Sequence, residues 1–299
     1  MRIVLAFDGS NDSMSAVQAV ARLPFREKPE ITLVSAVVHP TFDLPQSKGA
    51  VEAERHAIEA VEGQLHQAMQ QLEPIAARVD RVAKTEHPSH LILETAEDQQ
   101  ADLIVLGARG HSALSRILLG STADYVVNHA KCSVLVVRPR ARLAGEVERP
   151  DRKPSLCLAY DGHAPSKLAF EQLVQYFQWP PGTRLHVATM LERPSMLPED
   201  VVYDEELMQQ SRESQTQLIA AAQEQLANLE ITYTVRETVH VGAALRNVAL
   251  RVEADILFVG DTGKTGLGRI LLGSTSRYLL HHVECAIWLA RPKRYGNRP

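Results

Sequence analysis

Short apolar runs alternate along this chain with longer segments in which hydrophobic residues recur every three or four positions. The apolar runs are typical of buried strands, and the longer periodic segments are typical of helices packed on one side. In the first half the predicted strands are Ile3–Phe7, Ile31–Val38, Val79–Ala83, Leu103–Leu106 and Val134–Val137. The order βαβαβαβαβ with right-handed crossovers predicts an α/β fold, in which helices cover both faces of a parallel sheet.

The second half repeats this order. Its predicted strands are Leu156–Tyr160, Arg184–Met190, Ile231–Val235, Ile256–Val259 and Ala286–Ala290. The third of these alternates apolar and polar residues, which places it at a sheet edge. A gap-free alignment of Ala101–Arg140 with Ala254–Lys293 gives 17 identities in 40 positions. The sequence therefore predicts one domain of about 150 residues written twice. We assign residues 1–145 to the first copy and 151–299 to the second.

Each half carries the glycine pattern Gly-x2-Gly-x9-Gly-Ser, and the two copies lie 153 positions apart. The first comprises Gly107, Gly110, Gly120 and Ser121, and the second Gly260, Gly263, Gly273 and Ser274. Glycine lets a ligand approach the backbone, and a helix N-terminus attracts anions, so the pattern predicts a phosphate cradle. We expect Ser121 and Ser274 to be N-caps. The alternative is that these glycines serve only to turn a strand into a helix.

An aspartate follows the first strand of each half, Asp8 in one and Asp161 in the other. If the strand order is 3-2-1-4-5, the first and fourth strands end beside the same crevice, where such sheets bind ligands. A carboxylate there accepts hydrogen bonds from ribose hydroxyls or an amino group, so the crevice suits a nucleotide. The chain has no GxxxxGK[ST] loop and no GxGxxG after its first strand, so neither a P-loop enzyme nor a dinucleotide-binding dehydrogenase is supported.

Composition narrows the classes of protein to which the chain could belong. With 299 residues and a net charge of -4, the chain is not strongly basic, so we do not expect nucleic acid as a partner. No apolar run is long enough for a membrane span, and Met1 leads straight into a strand without room for a signal peptide, so we expect a cytoplasmic protein. Three cysteines without metal-ligand spacing predict neither a disulfide framework nor a metal site. We expect the basic tail from Arg291 to Arg298 to be a disordered end.

Several segments together resemble a known family. The glycine pattern after "ADLIVLG", the "FDGS" turn, and the closing strands "CSVLVVRP" and "CAIWLARP" look like universal stress proteins of the ATP-binding type, in their tandem two-domain form. The resemblance implies two flavodoxin-like, Rossmann-like domains, each a five-stranded parallel sheet of order 3-2-1-4-5. It also implies that the halves pair through their last strands as an internal pseudo-dimer, and that the protein binds ATP, ADP or AMP without a defined catalytic reaction.

The resemblance also assigns site residues. Asp8 and Asp161 would contact adenosine, and Ala36 and Thr189, at the end of the second strand, would offer backbone groups to adenine. The ribose and phosphates would be held by Gly107, Gly110, Gly120, Ser121 and Thr122 in the first half, and by Gly260, Gly263, Gly273, Ser274 and Thr275 in the second. The first loop has Ala108 and Arg109 where the second has Asp261 and Thr262. We expect this difference in charge to make the first site tighter by up to about tenfold.

The leading hypothesis is a stress-response regulatory protein that binds an adenine nucleotide and is read by an unknown protein partner. Slow ATP hydrolysis or self-phosphorylation at Ser121 or Ser274 is one alternative, and a nucleotide-free interaction module is another. We expect no nucleic acid and no membrane as partners. The sequence leaves open whether Mg²⁺ accompanies the nucleotide and whether the chain forms a homodimer.

Overall fold

The structure is a computed structural model. It describes residues 1–36, 59, 62–110, 119–138, 152–193, 205–261, 264–266 and 269–295. The elements of the first half are β1 (Arg2–Ala6), α1 (Asn11–Arg22), β2 (Glu30–Ala36), α2 (62–72), β3 (Arg78–Lys84), α3 (Pro88–Asp98), β4 (Leu103–Gly107), α4 (Ser121–His129) and β5 (Ser133–Val137).

The second half repeats these elements and adds a small hairpin. Its elements are β6 (Ser155–Ala159), α5 (Ala164–Gln175), β7 (Arg184–Glu192), α6 (Glu205–Ala221), α7 (Gln223–Leu226), β8 (Glu230–Thr238), α8 (Val241–Arg251), β9 (Ile256–Gly260), β10 (Lys264–Gly266), β11 (Arg269–Leu271), α9 (Ser274–His282) and β12 (Ala286–Ala290). Strands β10 and β11 pair antiparallel with each other. They lie between the second and third glycines of the second glycine pattern.

Ten of the described strands form one sheet, in the order β3-β2-β1-β4-β5-β12-β9-β6-β7-β8. Within each half the order is 3-2-1-4-5 and the pairing is parallel, which confirms the predicted fold class. The halves join where β5 and β12 run antiparallel, with Leu135 opposite Trp288. Pairing through the last strands is therefore confirmed. Strand β8 lies at one edge of the sheet, as its alternating sequence predicted.

Helices cover both faces because the central strands bury side chains on both sides. One hydrophobic cluster joins Leu5 of β1, Val17 of α1 and Trp288 of β12. The cluster on the opposite face joins Val4 of β1 and Val126 of α4 to residues of α8 and α9. Both clusters contain residues of both halves, so the halves share one continuous core.

Two further sets of contacts hold the halves together. Phe25 and Phe177 form a bridge with ring centroids 5.5 Å apart, and the backbone N–H of Gln178 donates to Pro24 O at 2.7 Å. After β12, Lys293 Nζ lies 2.5 Å from Asp102 Oδ1, and the N–H of Arg294 donates to Lys131 O at 2.9 Å. The prediction of a disordered tail is therefore wrong for residues 291–295, because this segment packs on the first half.

Cys132, Cys157 and Cys285 are free and buried, as expected of small apolar residues. Burial raises the pKa of the Cys132 thiol to about 11 and that of Cys285 to about 12.

Within the described ranges, we find no helix with the length and apolar character needed to cross a bilayer.

Candidate functional site

The carboxyl ends of β1 and β4 form the predicted crevice of the first half. These strands are neighbours, with Leu5 opposite Val105. Asp8 follows β1, and its Oδ1 accepts a hydrogen bond from the N–H of Ser10 at 2.9 Å. A Cβ placed on Gly110, in the loop after β4, would lie 2.7 Å from Asp8 Oδ2. The aspartate and the glycine loop, about a hundred residues apart in sequence, therefore meet at one rim, which we call the first rim.

Gly120 closes the first rim against the loop. Its N–H donates to Ala108 O at 2.8 Å, and a Cβ there would lie 3.3 Å from the Cα of Arg109. Gly120 is also the N-cap of α4, with φ −68° and ψ 153°, and no side chain caps the helix. Ser121 is the first helical residue and is exposed, and Thr122 behind it is half-buried.

The prediction that Ser121 and Ser274 are N-caps is therefore wrong. In the second half Gly273 occupies the N-cap of α9, with φ −61° and ψ 152°, and Ser274 is the first helical residue. Each helix begins one residue earlier than expected because the glycine, and not the serine, takes the extended backbone conformation that precedes the helix. The backbone N–H groups of these first turns consequently donate no hydrogen bond to a capping side chain.

Close packing of a helix explains why the first position of each pattern is a glycine. A Cβ on Gly107 would lie 2.6 Å from the carbonyl carbon of Asp12, and a Cβ on Gly260 would lie 2.2 Å from that of Pro165. Those atoms belong to the first turns of α1 and α5, which approach the sheet too closely to admit a side chain. A ligand contact for Gly107 and Gly260 stays a prediction, because close helix packing already accounts for the glycines.

Arg109 is held within the protein. Its Nε donates to Asp12 Oδ2 at 3.1 Å and its Nη2 to Asp12 Oδ1 at 3.2 Å, a two-point ion pair, and its backbone N–H also donates to Oδ2. The Asp12 side chain is 9% exposed and that of Arg109 22%. The expectation that the first site binds more tightly rests in part on the charge of Arg109. The structure removes that part of the reason, since Asp12 balances the charge.

The equivalent rim of the second half, which we call the second rim, has the same strand arrangement. Asp161 follows β6, and β6 neighbours β9, which ends at Gly260. Asp161 Oδ1 accepts hydrogen bonds from Ser166 Oγ at 2.6 Å and from the N–H of His163 at 3.0 Å. Gly263 lies outside the described residues, and Thr275 is half-buried in the first turn of α9.

Asp261, directly after Gly260, points into the protein. Its Oδ2 lies 2.6 Å from Nε of Arg291, and the two side chains are 0% and 3% exposed. The second loop therefore does not present this carboxylate to solvent, and its charge is balanced within the core.

The predicted adenine contacts differ between the halves. Ala36 lies in β2 and is followed by residues outside the described ranges. Thr189 is not at the end of its strand, because β7 continues to Glu192 and pairs there with β8 up to Thr238. The Thr189 hydroxyl is buried and donates to Tyr160 O at 2.6 Å. The prediction that Thr189 ends its strand is wrong, and a backbone contact from it to adenine stays a prediction.

Gln215 of α6 is a residue beside this region that sequence reasoning missed. It is 1% exposed, and its Nε2 donates to Thr189 Oγ1 at 2.7 Å and to Thr234 O at 3.2 Å. In the sequence, the glutamine-rich segment between Met208 and Asn228 predicts a helix with a solvated face over a stripe of Leu218, Ala222 and Leu226. Position 215 lies one turn before Leu218 on that same stripe, which is the signal that could have revealed its burial.

One side-chain group could hold a metal ion among the described residues. Glu86 lies two residues before α3, and His90 and Glu94 lie within it. These three side chains offer ligand atoms within 4.8 Å of one another. His90 and Glu94 are exposed and Glu86 is half-buried. The group includes none of the predicted site residues, and the spacing rules used on the sequence did not find it.

Comparisons with known proteins agree with this architecture. The model of the universal stress protein family matches residues 1–138 and 155–291. A universal stress protein of Methanocaldococcus jannaschii is 34% identical over 142 residues, which cover 46% of this chain and 81% of the relative. One from Mycobacterium tuberculosis is 28% identical over 204 residues, covering 64% of this chain and 62% of the relative.

A solved structure extends the likeness to nearly the whole fold. The crystal structure of a universal stress protein from Archaeoglobus fulgidus aligns with 97% of this chain and 98% of its own, with a TM-score of 0.65 and 17% identity. At that identity the likeness shows a shared fold, here including both halves and the way they join.

Proposed function

Because the chain belongs to the universal stress protein family, whose members act in stress responses, we propose that it is a regulatory protein that binds ATP, ADP or AMP. The nucleotide would lie at the first rim, and a second would lie at the second rim. The observation that carries this proposal is the meeting of the Asp8 carboxylate with the Gly110 loop, beside the N-terminus of α4.

The first rim offers two kinds of partner to such a ligand. Amide groups of the first turn of α4, with the Ser121 hydroxyl, suit phosphate oxygens, and the helix dipole adds about 0.3–1 kcal/mol of attraction. Asp8 is exposed and suits the hydroxyls of a sugar, which donate hydrogen bonds to a carboxylate. A nucleoside phosphate presents both groups in one molecule.

The way in which a nucleotide would regulate the protein follows from the joint between the halves. Strands β5 and β12 and the Phe25–Phe177 bridge join the halves through contacts that include none of the predicted nucleotide-binding residues. We therefore expect the nucleotide to act on the loops and helix ends at the rims and not on the pairing of the halves. Binding to the folded state alone would still add about 2.7 kcal/mol to the free energy of unfolding at a hundredfold excess over Kd.

Nucleotide retention and binding test this proposal. We expect the supernatant of the denatured protein to contain ATP, ADP or AMP on anion-exchange chromatography, or the purified protein to bind added ATP in isothermal titration calorimetry. Asp8→Ala should weaken binding at the first rim. Asp80→Ala is the matched control, because Asp80 is a carboxylate on the edge strand β3 paired with Arg78 at 2.7 Å.

Two outcomes would favour the alternatives. A protein that retains no nucleotide and shows no thermal shift with ATP would be the nucleotide-free interaction module. ADP or labelled protein formed from radiolabelled ATP over hours would indicate slow hydrolysis or self-phosphorylation.

A further inference from the structure

Helix α4 extends from the first rim toward the second half. Its N-terminus at Gly120 belongs to the first rim, and its C-cap is Ala130. Because β5 and β12 run antiparallel, the strands of the two halves have their carboxyl ends at opposite ends of the sheet. The end of α4 therefore lies next to the start of β5 and the end of β12, on the side of the second rim.

A buried ion pair connects the second loop to this end of α4. Asp261, in the loop after β9, holds Nε of Arg291 at 2.6 Å. Nη1 of the same arginine donates to the carbonyl oxygen of Ala130 at 3.1 Å. A cation at the C-terminus of a helix stabilises it, and the pair is almost wholly removed from water. Strand β11 of the second half also lies beside α4.

The repeat supplies an internal comparison for this connection. Arg138, the equivalent of Arg291, donates from Nη2 to Leu280 O in α9, so each arginine reaches across the joint to the other half's helix. The residue equivalent to Asp261 is Ala108, which is fully buried. The first loop therefore has no carboxylate to hold Arg138. The fold is built in the first half without that ion pair, so Asp261 adds a link that the architecture does not require.

We propose that the Asp261–Arg291 ion pair couples the two nucleotide sites with positive cooperativity. The inference rests on the proposed function. A nucleotide that contacts the backbone of Gly260 at the second rim restrains the adjacent Asp261, which holds Arg291 against Ala130. With its C-terminus fixed, α4 holds the amide groups of its first turn in place, so a nucleotide at the first rim loses less conformational freedom on binding. Asp261 and Arg291 are positioning residues in this account, because neither touches the nucleotide at the first rim.

A thermodynamic cycle measures the coupling. Isothermal titration calorimetry with ATP gives the first-site constant in Gly273→Val, the second-site constant in Gly120→Val, and the overall two-site constant in the wild type. Independent sites make the overall association constant equal to the product of the single ones. We expect the wild-type value to exceed that product about fivefold, at the lower end of common coupling strengths. Asp261→Asn introduced into all three proteins should bring the ratio to about one.

The matched control is Lys293→Gln. It removes another ion pair between the halves, Lys293–Asp102, without touching either loop or α4, so the ratio should stay near five. No ATP binding in any protein would overturn the proposed function together with the coupling. Binding at both sites with a ratio of one in the wild type would overturn the coupling alone, and a ratio unchanged by Asp261→Asn would do the same.

A second readout avoids any change at Asp261, in case Asp261→Asn does not fold. In the Gly120→Val protein ATP can fill only the second site. We expect ATP to slow amide hydrogen exchange in residues 126–130, at the end of α4. If exchange in this segment is unaffected while ATP binds, the connection through Arg291 does not exist.

Discussion

The two halves share one backbone plan, but they differ in how charges near the glycine loops are balanced. The first loop carries Arg109, which is paired with Asp12. The second half has Thr262 and Pro165 at these positions, so both partners are absent there. The second loop instead carries Asp261, paired with Arg291. The charges of Arg109 and Asp261 are therefore each balanced by a partner within the protein, and counting these charges alone misjudges the field that a ligand would meet.

A second difference lies in the helix that packs against the turn after the first strand of each half. Gln64 lies against Gly9 and Ser214 lies against Gly162, and these two glycines are equivalent positions of the repeat. The next residues, Leu65 of α2 and Gln215 of α6, therefore occupy the same place in the two halves. Leu65 is fully buried in an apolar cluster. Gln215 is almost as buried and takes part in a network of hydrogen bonds with β7 and β8. The same place in the fold is thus apolar in one half and polar in the other.

The largest effect should come from breaking the two ion pairs. Asp261→Ala leaves Arg291 charged in the core, and loss of one partner of a buried pair costs about 3–5 kcal/mol. Asp12→Ala should cost only about 1–2 kcal/mol, because the partly exposed Arg109 can turn toward water. Urea unfolding of both variants measures the free energies. Equal losses would contradict the distinction between a core pair and a rim pair.

A reciprocal exchange at the corresponding helix positions should have the next largest effect. Leu65→Gln puts an amide among apolar side chains and should lower the free energy of unfolding by about 2–4 kcal/mol. Gln215→Leu loses hydrogen bonds but also removes Oε1, a buried oxygen without a hydrogen-bond partner among the described residues, so we expect a change of about 1 kcal/mol or less. Thermal or urea unfolding compares them, and a larger loss for Gln215→Leu would refute the contrast.

Gly107→Ala and Gly260→Ala test whether the halves are alike where the sheet meets α1 and α5. Both new methyl groups would meet helix backbone, and forced backbone shifts cost about 1–3 kcal/mol. We expect the two variants to be destabilised similarly in chemical unfolding. If either retains wild-type stability, close helix packing is not the reason for that glycine.

The smallest effect should come from the Lys293–Asp102 pair. Both side chains are partly exposed, and such pairs contribute about 1 kcal/mol or less. Lys293→Gln should therefore unfold within about 1 kcal/mol of the wild type, and 0.5 M salt should reduce the difference further. A loss comparable to that of Asp261→Ala would mean that the C-terminal segment contributes more to the joint than its exposure suggests.

The succession of strands and helices could be predicted from the apolar runs and the repeat. The strand order 3-2-1-4-5 came from the resemblance to the family, and the meeting of Asp8 with the glycine loop follows from that order and the geometry of parallel sheets. The N-caps could not, since glycine and serine both suit that position and the surrounding contacts decide between them. Arg109 was misjudged because its partner, Asp12, lies in a different element. Thr189 was placed at a strand end because pairing with the edge strand β8 extends β7 beyond its apolar run. The tail after β12 is polar in sequence, and only contacts with the first half order it.

The proposal that both rims bind adenine nucleotide is tested most directly by the number of ATP molecules bound per chain. Isothermal titration calorimetry should find two in the wild type, one in Asp8→Ala, one in Asp161→Ala and none in the double variant at the same ATP concentrations. A double variant that binds two ATP molecules with wild-type affinity would contradict the account, as would a folded wild-type protein that binds none.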